Sequence, residues 1–282
     1  MVMGLSSTSK TQTEYTLSAP QSRFVREDSK RFIGFVSGVG AGKTFAGIAR
    51  TIRNAIEWNP GEMGAIVAPA RRMIVDVIIP EMRDLGLFDA PYNWEYKSAY
   101  SDEPGIHLPN GGRILMLSAD NKRTIERLRG LNLAYWWMDE ESDIEPRARQ
   151  ILQQRLRAGE YRNGYVTTTP KGKNHTYEFF AQGIDTVPWS GPGELYEAED
   201  RIALVGVPTS ANDFLPDDYQ AAMQKDMPDE IRAQEVEGRF VEIGSGIFTT
   251  DMLTFVQPSD IHEDYTLNYI LGVDPASKAE NA

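Results

Sequence analysis

The chain has 282 residues, no cysteine, three histidines and a net charge of −12, with 41% hydrophobic and 25% charged residues. Such a composition predicts a soluble globular protein; it excludes a disulfide framework and a thiolate zinc site, and no apolar run approaches the roughly 20 residues a membrane span requires. Residues 1–180 hold 24 Lys and Arg against 21 Asp and Glu, whereas residues 181–282 hold 5 against 20, so the acidity lies in the C-terminal third and bulk charge gives no argument for tight DNA binding.

The N-terminus, with Ser6, Ser7, Thr8, Ser9, Thr11 and Thr13, lacks the charged start and apolar stretch of a secretory signal, so export is not expected. Pro20 and Gln21 follow, and a Gln amide offers both a donor and an acceptor to an adenine edge. Arg31 to Ser37 is short, apolar and rich in aromatic and β-branched residues, which predicts a buried strand. After it, Phe45, Ile48, Ala49, Ile52 and Ile56 recur at helical spacing until Asn59, Pro60 and Gly61 stop the pattern.

Between that strand and helix stands S-G-V-G-A-G-K-T: Ser37, Gly38, Val39, Gly40, Ala41, Gly42, Lys43 and Thr44. A Gly-rich turn between strand and helix aims backbone N–H groups at phosphate oxygens, with the positive end of the helix dipole behind them. In such a loop Lys43 reaches the β- and γ-phosphates and the Thr44 hydroxyl holds Mg²⁺. Ser37 stands where the strict pattern has glycine, one departure from G-x-x-x-x-G-K-[ST].

Further strands are predicted at Gly64 to Ala68, Arg113 to Ser118, Leu133 to Met138 and Gly164 to Thr168, with a helix over Arg147 to Leu156. This alternation predicts an α/β fold with a mostly parallel sheet and flanking helices. The third of these strands ends in Asp139-Glu140, where a nucleotide site needs a Mg²⁺ ligand and a group to orient water. Asp139 is assigned to the metal and Glu140 to the base, with Glu141 open as an alternative base. Arg127 and Arg129, just upstream, are candidates to reach a phosphate in this subunit or a neighbour. Thr167, Thr168 and Thr169 end the last of these strands, where hydroxyls can sense a γ-phosphate.

Asp185 to Glu199 mixes Pro, Gly and acids and reads as a connection or hairpin. Pro216 to Phe240 reads as helical and charged, and Tyr269 to Asp274 as a new strand close to Ala282.

The order of these motifs resembles the ATPase part of the large terminase subunit of tailed bacteriophages and related viruses, over nearly the whole chain. The resemblance rests on Gln21, the loop Ser37 to Thr44, the R-G pair at Arg129, Asp139-Glu140, and Thr167 to Pro170 followed by Lys171-Gly172. Its most specific part is Gln234 to Phe248, which resembles the end of that family's acidic lid region.

The resemblance implies a P-loop NTPase of the RecA-like type with ATP and Mg²⁺ as cofactors. It makes Gln21 and Thr168 nucleotide contacts, Lys43 and Glu140 catalytic, and Arg129 a finger that completes a neighbour's site. It divides the chain into an ATPase core at 1–200, a lid at 201–248, and at 249–282 a linker and the first strand of an RNase H-like nuclease. Asp274 would be the first metal ligand of that incomplete nuclease site, so no nuclease activity is expected of this chain. The implied partners are double-stranded DNA, a viral portal and a small terminase subunit. A homo-oligomeric ring is expected during packaging in the host cell cytoplasm, and a monomer in isolation. The rival readings are a P-loop helicase or repair ATPase, and a nucleotide-gated assembly module that hydrolyses little.

Overall fold

Segments rich in β-branched and aromatic residues form the middle of one sheet, and amphipathic helices return the chain between them. The computed structural model describes residues 15–216, 219 and 227–241. These all fall in one compact unit, Met1–Ile243.

The chain opens with α1 (Ala19–Arg26), β1 (Phe32–Ser37) and α2 (Lys43–Arg53), the last continued by a π turn (Asn54–Trp58). Strand β2 (Met63–Ala68) leads to α3 (Arg71–Met73), a π turn (Ile74–Ile78) and α4 (Ile79–Asp84). Strands β3 (Glu95–Lys97), β4 (Gly105–His107) and β5 (Arg113–Ser118) precede α5 (Lys122–Arg127) and a 3-10 turn (Leu128–Gly130). Next come β6 (Tyr135–Asp139), a 3-10 turn (Glu141–Asp143), α6 (Pro146–Gln153), β7 (Asn163–Thr168) and α7 (His175–Phe180). The described part ends with β8 (Thr186–Val187), β9 (Glu194–Glu197), β10 (Arg201–Val207), a 3-10 turn (Thr209–Ala211) and α8 (Asp229–Glu235).

The sheet order is β3, β4, β5, β2, β6, β7, β1, β10, β9, β8. The strands from β5 to β10 in that order run parallel, and antiparallel pairs extend both edges. Strand side chains alternate between faces, so β1 sends Ile33 and Phe35 to one core and Phe32 and Val36 to the other. The first core packs on α1, α2 and α4 through Phe24, Ile48 and Met82; the second packs on α5, α6 and α7 through Ile125, Leu152 and Phe180. With both faces covered, β1 and β6 are buried at every residue, which is why they read as continuous apolar runs.

The structure departs from the sequence expectations in one place. Residues 201–207 form β10 and pair in parallel with β1, so the core sheet runs past the expected boundary at residue 200; Ile202 to Val205 carry the apolar pattern that places it there. Asp185 to Glu199 contains β8 and β9, an antiparallel pair on the sheet edge, which agrees with the hairpin reading of that stretch. Of Pro216 to Phe240, residues 216, 219 and 227–240 are described, with helix at Tyr219 and over Asp229–Glu235, and Gly238 at φ 69° marks a left-handed turn after it. The expected strand Tyr269 to Asp274, the end of the Gln234 to Phe248 stretch and Asp274 lie outside the described residues.

Candidate active site

β1 ends at Ser37 and α2 starts at Lys43, with Gly42 as N-cap at φ 78°, ψ 34° and no side chain capping the helix. Among the described residues no side chain caps the first N–H groups of α2, and such groups suit an anion. Gly40, at φ 77°, makes the other left-handed turn of the loop. Lys43 is only 7% exposed and its Nζ donates to the carbonyls of Gly38 at 3.0 Å and Ser37 at 3.4 Å. Burial lowers its pKa, while the carboxylates of Glu140, Asp139 and Glu235 work against that.

The loop is braced from behind. Val39 N donates to Glu235 O at 2.7 Å, Thr209 Oγ1 donates to Val39 O at 2.7 Å, and Asn212 Nδ2 donates to Gly40 O at 2.6 Å. A Cβ on Gly38 would lie 2.4 Å from Val236 O, and one on Gly238 would lie 2.6 Å from Gly38 N, so the two backbones meet where only glycine fits. The roles of Thr209 and Asn212 were not legible in sequence, because P-T-S-A-N after a strand looks like any turn. The only signal was Gly238 in the stretch beginning at Gln234.

Gln21 belongs to this brace. Its Oε1 accepts from Ser18 N at 2.9 Å as half of a capping box on α1, and its Nε2 donates to Ala41 O and Gly42 O, both at 3.4 Å. Both ends of the amide expected to read adenine are engaged by the chain itself.

The carboxylates lie at the end of β6. Thr44 Oγ1 donates to Asp139 Oδ2 at 3.3 Å, and Thr167 Oγ1 donates to Asp139 Oδ1 at 2.6 Å while accepting from Trp137 Nε1 at 2.7 Å. Burial and the adjacent Glu140 push Asp139 up to about 7, against the hydrogen bond from Thr167 and the charge of Lys43. Glu140 then turns the chain through a left-handed conformation, φ 47°, ψ 51°, and its Oε2 accepts from Thr169 N at 3.2 Å. Thr168 Oγ1 accepts from Ser142 N at 3.1 Å and donates to Thr169 O at 3.0 Å, placing it in the β7 to β6 connection.

Glu141, the alternative base, is wholly buried. It forms an ion pair with Arg149, accepts from the Thr176 hydroxyl and lies 3.3 Å from His175 Nε2. Burial works against its ionisation, but His175, Arg149 and Thr176 outweigh burial and hold its carboxyl below the ordinary range. Its oxygens face these partners and not the loop.

Arg129 is not brought to the loop. It sits in the turn before β6, and β6, β7 and β1 are parallel, so this turn lies at the strand ends opposite the loop. Its side chain is half exposed and paired with Glu126 at 2.5 Å, and its carbonyl accepts from Arg155 at 2.6 Å. In this structure Arg129 therefore makes no contact with the loop of its own subunit. A separate cavity of about 320 Å³, lined by Arg71, Tyr96, Lys97, Leu117, Arg127 and Leu131 among others, shares no lining residue with the loop.

The donor set fits Mg²⁺. A hydroxyl and a buried carboxylate within hydrogen-bond distance, beside a second carboxylate that raises the first one's pKa, form an oxygen site that a small dication relieves. Among the described residues no three His, Cys, Asp or Glu side chains gather into a metal cage, in keeping with an ion that takes its other ligands from phosphate and water.

Comparison with known proteins gives a consistent picture. The model of the family described as terminase large subunit, T4likevirus-type, N-terminal, matches residues 35–255. Among solved structures, the large terminase of a thermophilic bacteriophage aligns at TM-score 0.60 and 13% identity, covering 80% of this chain and 54% of that one. The complex of that same phage protein with ADP aligns at TM-score 0.61 and 13% identity, with 80% and 54% covered. The Thermus phage P74-26 large terminase ATPase domain aligns at TM-score 0.56 and 20% identity, covering 80% of this chain and 95% of that domain. The chain thus spans about half the length of the first of these proteins, and at these identities the likeness is one of fold. No curated protein sequence matches the chain. With a family model matched over most of its length and a sheet that carries its loop at the end of a central strand, the chain belongs to the large terminase subunit family.

Proposed function

We propose that this chain binds and hydrolyses ATP as the motor part of a viral DNA-packaging terminase, moving double-stranded DNA into a procapsid. The observation that carries the reading is the contact of Thr44 Oγ1 with Asp139 Oδ2 at the mouth of the Gly-rich loop, with Glu140 turned back beside it. The large terminase of the thermophilic bacteriophage, described in complex with ADP and with ATP-γ-S, supports nucleotide binding on this fold.

In this reading the N–H groups of Gly40 to Thr44 cradle the phosphates and Lys43 leaves its loop carbonyls for the β- and γ-phosphates. Thr44 and Asp139 would hold Mg²⁺, which when bound would offset phosphate charge. Glu140 accepts the proton of the attacking water. Thr167 ties Asp139 to Trp137, and Thr168 and Thr169 tie the end of β7 to Ser142 and Glu140. This lets a change at the γ-phosphate reach the loop after β7 and, through the Gly172 N to Gln234 Oε1 bond at 3.0 Å, the lid segment. Gln21 contributes by fixing the loop. Arg129 acts on a neighbouring subunit in a ring, with the portal and a small terminase subunit as partners in the host cytoplasm.

The test is ATP turnover by the purified chain, alone and with DNA and procapsids, beside Lys43→Ala and Glu140→Gln. Turnover in wild type, lost in both variants and accompanied by DNA protection inside procapsids, is the expected result. Turnover that survives Lys43→Ala, or strand separation in place of packaging, overturns the reading.

A further inference from the structure

Glu140 is a non-glycine residue in the left-handed region, a conformation that L side chains hold only where their surroundings over-determine it. The preceding residue, Asp139, is the last of β6 and is fixed by Thr167. The following residue, Glu141, is fixed by three side chains from two helices: Arg149 of α6 and His175 and Thr176 of α7.

The cluster is knitted together by further contacts. Arg149 Nη2 donates to His175 O at 3.0 Å, and the guanidinium lies 4.2 Å from the centre of the Phe179 ring. His175 Nε2 also lies 3.2 Å from Glu141 O, and Thr176 Oγ1 is 3.1 Å from Ser142 Oγ. Arg149 stands on one helix and His175 and Thr176 on another from a later part of the chain, and their shared partner is the residue after Glu140. A buried ion pair is weak evidence for stability, so its placement calls for another reason. We infer that the Glu141, Arg149 and Thr176 cluster is the positioning element of the site: it clamps the backbone after Glu140 and forces Glu140 into the left-handed turn that returns its carboxylate to Thr169 N. Glu141, Arg149 and Thr176 are positioning residues that touch no substrate. The inference rests on the hydrolytic reading of Glu140 given above.

The experiment uses Thr176→Val, which keeps the shape and removes the hydroxyl donor, with Thr176→Ser as the conservative partner. The expected result is a fall of about tenfold or more in kcat for Thr176→Val, the loss that follows from one misdirected hydrogen bond to a charged group. KM for ATP and Kd for ADP stay within about twofold of wild type, since the loop is untouched, and Thr176→Ser restores kcat. A melting temperature that falls while kcat stays at the wild-type value overturns the inference, because that is what a purely structural cluster does. An equal loss in ADP affinity also overturns it. Crystal structures of the two variants decide the positioning without turnover: Glu140 leaves the left-handed conformation and its bond to Thr169 N in Thr176→Val and keeps both in Thr176→Ser. A left-handed Glu140 in the valine variant overturns the inference even where wild type itself proves inactive, an outcome that instead counts against the hydrolytic reading.

Discussion

Gly38 and Val236 meet backbone to backbone: a Cβ added to Gly38 would stand 2.4 Å from the Val236 carbonyl oxygen. Gly38→Ala therefore pushes the loop off its brace. Overpacking of this kind costs about 1–3 kcal/mol, and the expected outcome is a melting temperature lower by several degrees together with weaker ADP binding. Thermal melts with and without ADP read both, and unchanged values for both contradict the brace.

The two neighbouring glutamates separate in their effects. Glu140→Gln is expected to keep nucleotide affinity and fold stability while abolishing turnover. Glu141→Gln leaves Arg149 buried without a charged partner, a change that costs about 3–5 kcal/mol in buried pairs. Denaturant titration beside a turnover assay distinguishes the two, and equal stability losses in both variants contradict the assignment.

Chelation tests the metal site. EDTA is expected to stop wild-type turnover, and added Mg²⁺ to restore it. Asp139→Asn keeps a side chain of the same shape without the charge, and the Mg²⁺ concentration for half-maximal rate is expected to rise by about tenfold or more, since a charged ligand is lost. A magnesium titration of both proteins measures this.

Arg129→Ala is expected to leave the melting temperature and nucleotide affinity of the isolated chain unchanged, because its pair with Glu126 is surface-exposed and such pairs contribute about 0–1 kcal/mol. Turnover in assembled packaging complexes is expected to collapse. Doping the variant into wild type reads the effect, and a decline merely proportional to the variant fraction contradicts a role between subunits.

Glu27, at the end of α1, gives a pH dependence. Burial pushes its carboxyl up, but the Ser29 hydroxyl and N–H and the Arg23 guanidinium outweigh burial and hold it below the ordinary value of 4.5. A depressed carboxylate contributes stability that is present above that value and lost as the pH falls through the folded value. Glu27→Gln is therefore expected to be less stable than wild type by about 1 kcal/mol at pH 7, with the gap closing below about pH 4. Denaturant titrations of both proteins across this pH range measure the gap.

Much of the parallel sheet was legible because its central strands are covered on both faces and so read as unbroken apolar runs, as in Phe32–Ser37 and Tyr135–Asp139. The short strands Glu95–Lys97 and Gly105–His107 escaped, since three residues give no period to read. β10 escaped for another reason: Arg201–Val207 is apolar, but the acidic composition around it suggested a boundary. At the site, Lys43, Thr44 and Asp139 come together as their spacing implied. The separate environments of Glu140 and Glu141 could not be read from adjacency. That distinction depends on Arg149 and Thr176, which fold back from later helices.

Residues 227–241 are attached to the loop in a way that has a mechanical consequence. β1 and β10 are joined by a ladder of parallel pairs from Phe32 to Ser37, which under tension along the strands shares the load across every rung. The attachment of residues 235–238 is of another kind: Val39 to Glu235, Gly206 to Gly238 and Thr209 to Val236 are single backbone bonds outside any strand ladder, and such bonds yield in succession. A pull on the chain after Val241 therefore peels this junction open before it disturbs the sheet, so the junction acts as a release catch whose yielding leaves β1 and its loop intact.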